Sequence, residues 1–126
     1  MAPTHLKVFA VEAHDRALIV TPQGDIETFR YQDIHVETNS LLDFVKRNRP
    51  DALLVDFSSV DLIGSLMFAS LIKLARHFED ANKVACFCSA TEPMQQALHT
   101  MRITSKWSYF ENRADAVEFL NEAMDQ

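Results

Sequence analysis

Two stretches of this chain are apolar from end to end and no longer than a strand: ALLVDF at 52–57 and KVACFCS at 83–89. A strand with one wet face alternates apolar and polar residues. A strand without that alternation is covered on both faces, as in the middle of a parallel sheet. Each run is followed by a segment with helical spacing, so these are strand–helix units joined by crossovers. After the first run the chain turns through SSVD and enters a helix from about Ser65 to Phe78. At 100° per residue, Met67, Phe68, Leu71, Ile72, Leu74, Ala75 and Phe78 fall on one arc of that helix, and Ser65, Ser70, Lys73, Arg76 and His77 on the other. Leu66 breaks the pattern, since it falls on the polar arc beside Ser65.

The rest of the chain fits the same architecture. HLKVFAVEA (5–13) and RALIVTP (16–22), split by His14 and Asp15, read as a β-hairpin. GDIETFRYQD is a polar loop, and a helix follows over about 32–49, with Lys46, Arg47 and Arg49 at its C-terminal end and Pro50 stopping it. TEPMQQALHTM (91–101) reads as a helix with Thr91 as N-cap and Pro93 in the first turn. KWSYF (106–110) is a short strand, and RADAVEFLNEAM (113–124) an amphipathic helix. The expected fold is α/β: a mixed sheet of about five strands, the central ones parallel and the hairpin forming an antiparallel edge, with about four helices. With 126 residues, a single domain over 1–126 is expected.

Composition narrows the function. The net charge of −6 disfavours nucleic acid and anionic lipid as partners. The apolar run from Leu62 to Ile72 is interrupted by Gly and Ser and stopped by Lys73, well short of the roughly 20 residues that span a bilayer, so no membrane insertion is expected. MAPTHLKVFAVEAHD has no hydrophobic signal core, which points to a cytoplasmic protein. Cys86 and Cys88 are spaced C-x-C within a strand, a poor geometry for a metal or a disulfide, and read as buried free thiols.

Nothing in the pattern suggests an enzyme. His5, His14, His35, His77 and His99 have no metal-ligand spacing, and two glycines in the whole chain exclude a phosphate-binding loop, so no metal and no cofactor are expected. Asp56 ends a central strand, where a phospho-accepting aspartate would sit. The acidic pair and the late lysine of such a receiver are poorly matched by Glu12, Asp15 and Lys106.

The element order and three stretches, ALLVDFSSVDLIGSL, KVACFCSATEPMQQALHTMRI and YFENRADAVEFL, resemble the STAS domain family (sulphate transporter and anti-sigma factor antagonist), and TPQGDI is similar to the end of that family's second strand. The resemblance implies a stand-alone, non-enzymatic regulatory module that binds a partner protein, a kinase-type anti-sigma factor or a phosphatase-type switch protein. It also implies partner switching by phosphorylation of the first serine in an Asp-Ser-Ser/Thr-Gly signature. Ser65 stands at that serine; Gly64, Leu66 and Met67 stand where the Asp, the second Ser or Thr and the Gly would be, so the signature is degenerate.

The chemistry of the position supports the same idea. A helix start offers free N–H groups and partial positive charge, so its own helix tolerates a phosphate on Ser65. The added charge of nearly −2 would eject a partner seated on apolar contacts. The competing reading makes Ser65 a plain N-cap or first-turn serine and Leu66 an ordinary exposed leucine. The expected partner-binding residues are Asp25, Gly64, Ser65, Leu66, Met67 and Phe68, with Asp25 and Glu27 approaching from the loop after the second strand. Two other roles stay open: a constitutive structural subunit, for example of a lipid-transport ABC system, and a homodimer paired through the first strand's edge.

Overall fold

The computed structural model describes residues 6–24 and 30–125. Strands β1 (Phe9–His14) and β2 (Ala17–Pro22) form the opening hairpin, followed by helix α1 (Tyr31–Asn48). Strand β3 (Ala52–Asp56) leads to α2 (Ser65–Asp80), and β4 (Val84–Cys88) to α3 (Glu92–Thr100). A short helix α4 (Ile103–Lys106), strand β5 (Ser108–Phe110) and α5 (Arg113–Met124) complete the chain. The sheet order is β1-β2-β3-β4-β5, with β1 and β2 antiparallel and every other pair parallel. The two uninterrupted apolar strands therefore lie side by side within the sheet, with β3 at its centre, as their lack of alternation requires. Helix α4 is the one element that periodicity did not reveal, because four residues are about one turn and carry no pattern.

The two faces of the sheet are packed unequally. Leu18, Val20, Leu53, Val55, Ala85 and Phe87 meet the apolar sides of α1 and α2 together with Met94, Leu98 and Ile103. Ala17, Ile19, Ala52, Leu54, Cys86 and Cys88 point the other way, against Ala116 and Leu120 of α5. The second set is rich in small side chains, which lets one helix sit close over the middle of the sheet. Both cysteines are free and buried, as expected. Burial pushes the Cys86 thiol up to about 12, with Cys88 adding to it, and burial pushes Cys88 up to about 11, so neither is a thiolate at neutral pH.

One buried carboxylate organises the start of the chain. Glu37 of α1 faces inward, and its Oε1 accepts the N–H groups of Val8 (2.8 Å) and Phe9 (3.3 Å) while its Oε2 accepts that of Lys7 (2.8 Å). Three backbone donors ahead of and within β1 are thereby satisfied by one side chain from α1. A buried carboxylate is tolerated where hydrogen bonds replace water in this way.

Because β2, β3 and β4 are parallel, the segments that follow them emerge at one edge of the sheet. That edge carries the chain after Pro22, the loop 57–64 with the start of α2, and the β4–α3 connection.

Candidate functional site

The loop 57–64 is built from inside outward. Phe57, Val60 and Ile63 are buried in the core, which leaves Ser58, Ser59, Asp61 and Leu62 facing solvent. At its start, Asp56 Oδ1 accepts the Ser58 N–H at 2.9 Å, and Asp56 Oδ2 takes the Arg113 guanidinium at 2.8 Å. Phe57 N–H donates to the Cys88 carbonyl (3.0 Å), which extends the β3–β4 pairing by one residue. At the far end, the Thr91 hydroxyl donates to the Asp61 carbonyl at 2.6 Å while accepting the Met94 N–H at 3.3 Å. Thr91 thus caps α3, as its position predicts, and also ties the β4–α3 connection to the loop that presents Leu62.

Helix α2 begins without help. Its N-cap is Gly64, which has no side chain to offer, and its first turn contains no acidic residue. Ser65 is the first helical residue and is exposed, which makes it a first-turn serine, with Gly64 as the N-cap. Gly64 sits at φ −80°, ψ 169°, a conformation open to any residue, so the turn does not need glycine there. What glycine supplies is an absence: among the described residues the leading N–H groups of α2 have no side-chain cap, and the helix's own first turn holds no acidic residue.

The structure corrects the expected apolar surface. Met67 and Phe68 are 5% and 4% exposed and belong to the core, so they present no side chain to a partner in this conformation. Leu66 is half-buried and packs against the same core. The fully exposed arc of α2 runs through Ser65, Ala69, Lys73 and Arg76. Leu66 and the buried Ser70 lie instead on the side of the helix shared with His77, which shares a cleft with Val45 and Arg49 of α1. A wheel drawn from one helix cannot register a second helix lying along its flank. The residue that does stand open is Leu62, 39% exposed, in the turn just before Ser65. The sequence shows it only as the first member of an apolar run, and its exposure follows from Val60 and Ile63 on either side turning inward. Asp25 and Glu27 lie outside the described residues.

Asp56 sits in the fixed base of the loop. Burial raises its carboxyl, but the Arg113 guanidinium and the Ser58 N–H outweigh this and hold it below the usual carboxylate range. Arg113 reaches on to Glu12 of β1 (3.0 Å), so one guanidinium joins β3, α5 and the hairpin. With one oxygen on Ser58 and the other on Arg113, the carboxylate is committed to structure. Among the described residues no group of three or more His, Cys, Asp or Glu side chains is arranged to hold a metal ion, and no helix is long and apolar enough to cross a membrane.

Comparison with solved structures returns the same fold. RsbS from Moorella thermoacetica, in a serine-to-glutamate variant, has a TM-score of 0.80 at 15% identity, covering 95% of this chain and all (100%) of that one. An anti-sigma factor antagonist from Mycobacterium paratuberculosis has a TM-score of 0.72 at 19% identity, covering 90% and 92%. The anti-sigma factor antagonist SpoIIAA in its unphosphorylated form has a TM-score of 0.65 at 10% identity, covering 90% and 97%. No curated protein matches the chain. The sequence model of the STAS domain matches residues 8–116, which runs from the start of β1 into α5. A five-stranded sheet with an antiparallel edge, a loop fixed at both ends and a match over that span lead to one family: this chain belongs to the STAS domain family.

Proposed function

We propose that this protein is a regulatory module that acts by binding a protein partner at the α2 end of the sheet, and that phosphorylation of Ser65 releases the partner. The observation that carries this reading is the exposed Ser65 at the first position of a helix with no side-chain cap, three residues after the exposed Leu62. The contact surface is Leu62, Ser65, the open part of Leu66 and Ala69. Its apolar part gives affinity, and the loop anchors at Asp56 and Thr91 keep it preformed, which limits the ordering cost of association.

The switch follows from the same geometry. A phosphate on Ser65 meets a helix start with no side-chain cap and no acidic residue in its own first turn, worth about 0.3–1 kcal/mol to the modified protein. The domain stays folded while nearly two negative charges enter an apolar contact. Two structural relatives fit this chemistry: one is described in an unphosphorylated form, the other with glutamate in place of a serine. The partner chemistry that suits such a site is a serine kinase of the anti-sigma type, which would both bind and modify it.

Calorimetry of the full chain and its variants against a candidate serine kinase of the anti-sigma type tests the reading. Ser65→Ala retains the affinity, and Ser65→Asp lowers it at least about tenfold, some 1.4 kcal/mol. Equal affinity for both variants would replace the switch with a constitutive subunit, the role that the degenerate signature residues Gly64, Leu66 and Met67 favour.

A further inference from the structure

At the opposite end of α2, about 18 Å along the helix from Ser65 at 1.5 Å per residue, a cleft of about 370 Å³ opens between the C-terminal ends of α1 and α2. We infer that this cleft binds a small organic anion with an apolar body, such as an aliphatic or aromatic carboxylate. Its back is apolar: Val45 from α1, Phe78 from α2 and Ala81 beyond it, with the His77 ring edge-on to Phe78 at 6.2 Å. Its rim is cationic: Lys46 and Arg49 from the end of α1, and Lys83 just before β4. The volume lies at the lower end of the range for small-molecule sites.

Charge singles this place out. The chain carries a net charge of −6, yet no carboxylate lines the cleft. Among the described residues, none of Lys46, Arg49 and Lys83 has an ion-pair partner, while the nearby carboxylates Asp51 and Glu79 are engaged by Arg16 and Lys106. Cations in the last turn of a helix suit its dipole, which accounts for Lys46. It does not account for Lys83, which follows α2 and is held at the rim by donating one proton to the Pro50 carbonyl at 2.9 Å. Its remaining ammonium protons are free for a ligand. An apolar back with convergent cations selects for a molecule that has both features. A bare inorganic anion would leave the apolar wall unused, and a neutral hydrocarbon would leave the cations unused.

The test is an amide-shift titration of the isotope-labelled full chain with decanoate, decanol and acetate. Decanoate is expected to give saturable shifts at Val45, Phe78, Ala81 and Lys83, with decanol and acetate each binding at least about tenfold more weakly, since a charge-assisted hydrogen bond contributes about 1.5–3 kcal/mol. A Lys46→Gln, Arg49→Gly variant is expected to weaken decanoate by a similar factor while still unfolding cooperatively. Both residues are exposed, and Arg49 has φ 49°, where glycine is at ease, so the fold tolerates the change. Absence of localised shifts, equal affinity for decanol, or undiminished affinity in the folded variant would each overturn the inference.

Discussion

Asp56 and Arg113 are 57 residues apart in sequence and 2.8 Å apart in space, with the aspartate side chain 3% exposed and the arginine 40%. The pair joins the end of the central strand to the first residue of the helix that covers the opposite face of the sheet from α1 and α2. Arg113→Met would strand a buried carboxylate. Such losses reach about 3–5 kcal/mol for fully buried pairs, and the half-open arginine brings the expected cost to about 2 kcal/mol after solvent screening. The sign with pH is fixed by the lowered Asp56 carboxyl. Its stabilisation is fully present above the unfolded aspartate value near 3.9 and is lost as pH falls through the lower folded value. Urea titrations of the parent and Arg113→Met should therefore differ most near neutral pH and converge in acid. A gap that does not narrow would show that Arg113 acts through packing alone.

Glu37 supports an equally local prediction. It is the acceptor for three backbone N–H groups at Lys7, Val8 and Phe9. Glu37→Ala leaves those donors without this acceptor at a mostly buried site, at an expected cost of about 3 kcal/mol. Glu37→Gln keeps one acceptor oxygen and should lose less. Native-state hydrogen exchange distinguishes this from a general loss of stability: Val8 and Phe9 should gain exchange through local opening, while Leu54 in the central strand should follow only global unfolding. Uniform acceleration across the sheet would argue against a local role.

These two residues also show where reading the sequence stops. Strand order and helix spans were legible because they are written in local periodicity: unbroken apolar runs at β3 and β4, and 3.6-residue repeats in α1, α2 and α5. The backbone partners of Glu37 and the Arg113 partner of Asp56 were not, because they lie 28–30 and 57 residues away and no local pattern encodes them. The site was legible in part. Ser65 was marked by its place after a strand and turn, and its exposure is as the helical wheel indicates. Leu66 was placed too far into solvent because a wheel drawn for α2 alone does not show the core it packs against, and Leu62 stands open only because the folded loop turns its neighbours Val60 and Ile63 inward.

Thr91 offers a way to disturb the proposed binding surface without touching it. Its hydroxyl caps α3 and holds the Asp61 carbonyl next to Leu62. Thr91→Val keeps the shape and removes both hydrogen bonds. The cap alone is worth about 1 kcal/mol, which a shift in urea midpoint at constant slope would register. If the latch preforms the loop, partner affinity falls as well, through the cost of ordering Asp61 and Leu62 on binding. Thr91→Ser restores the hydroxyl and should rescue both. Lost stability with intact affinity would confine Thr91 to capping.

Leu62 and Met67 separate binding from folding most cleanly. Leu62 is 39% exposed and Met67 5%, although they stand five positions apart in one apolar run. Met67→Ala empties a core position, and an expected loss of about 2–5 kcal/mol follows from transfer and cavity costs together. Leu62→Ser changes a largely open side chain, so stability should stay within about 1 kcal/mol of the parent. Partner affinity should show the reverse order: Leu62→Ser should weaken it at least about tenfold, as expected for an apolar contact at the centre of an interface, while Met67→Ala, at temperatures where it remains folded, should change it little. Thermal unfolding and calorimetry on the same samples give both numbers. If Leu62→Ser binds like the parent, the partner sits elsewhere, and the turn before α2 is exposed only because the two side chains flanking Leu62 are needed in the core.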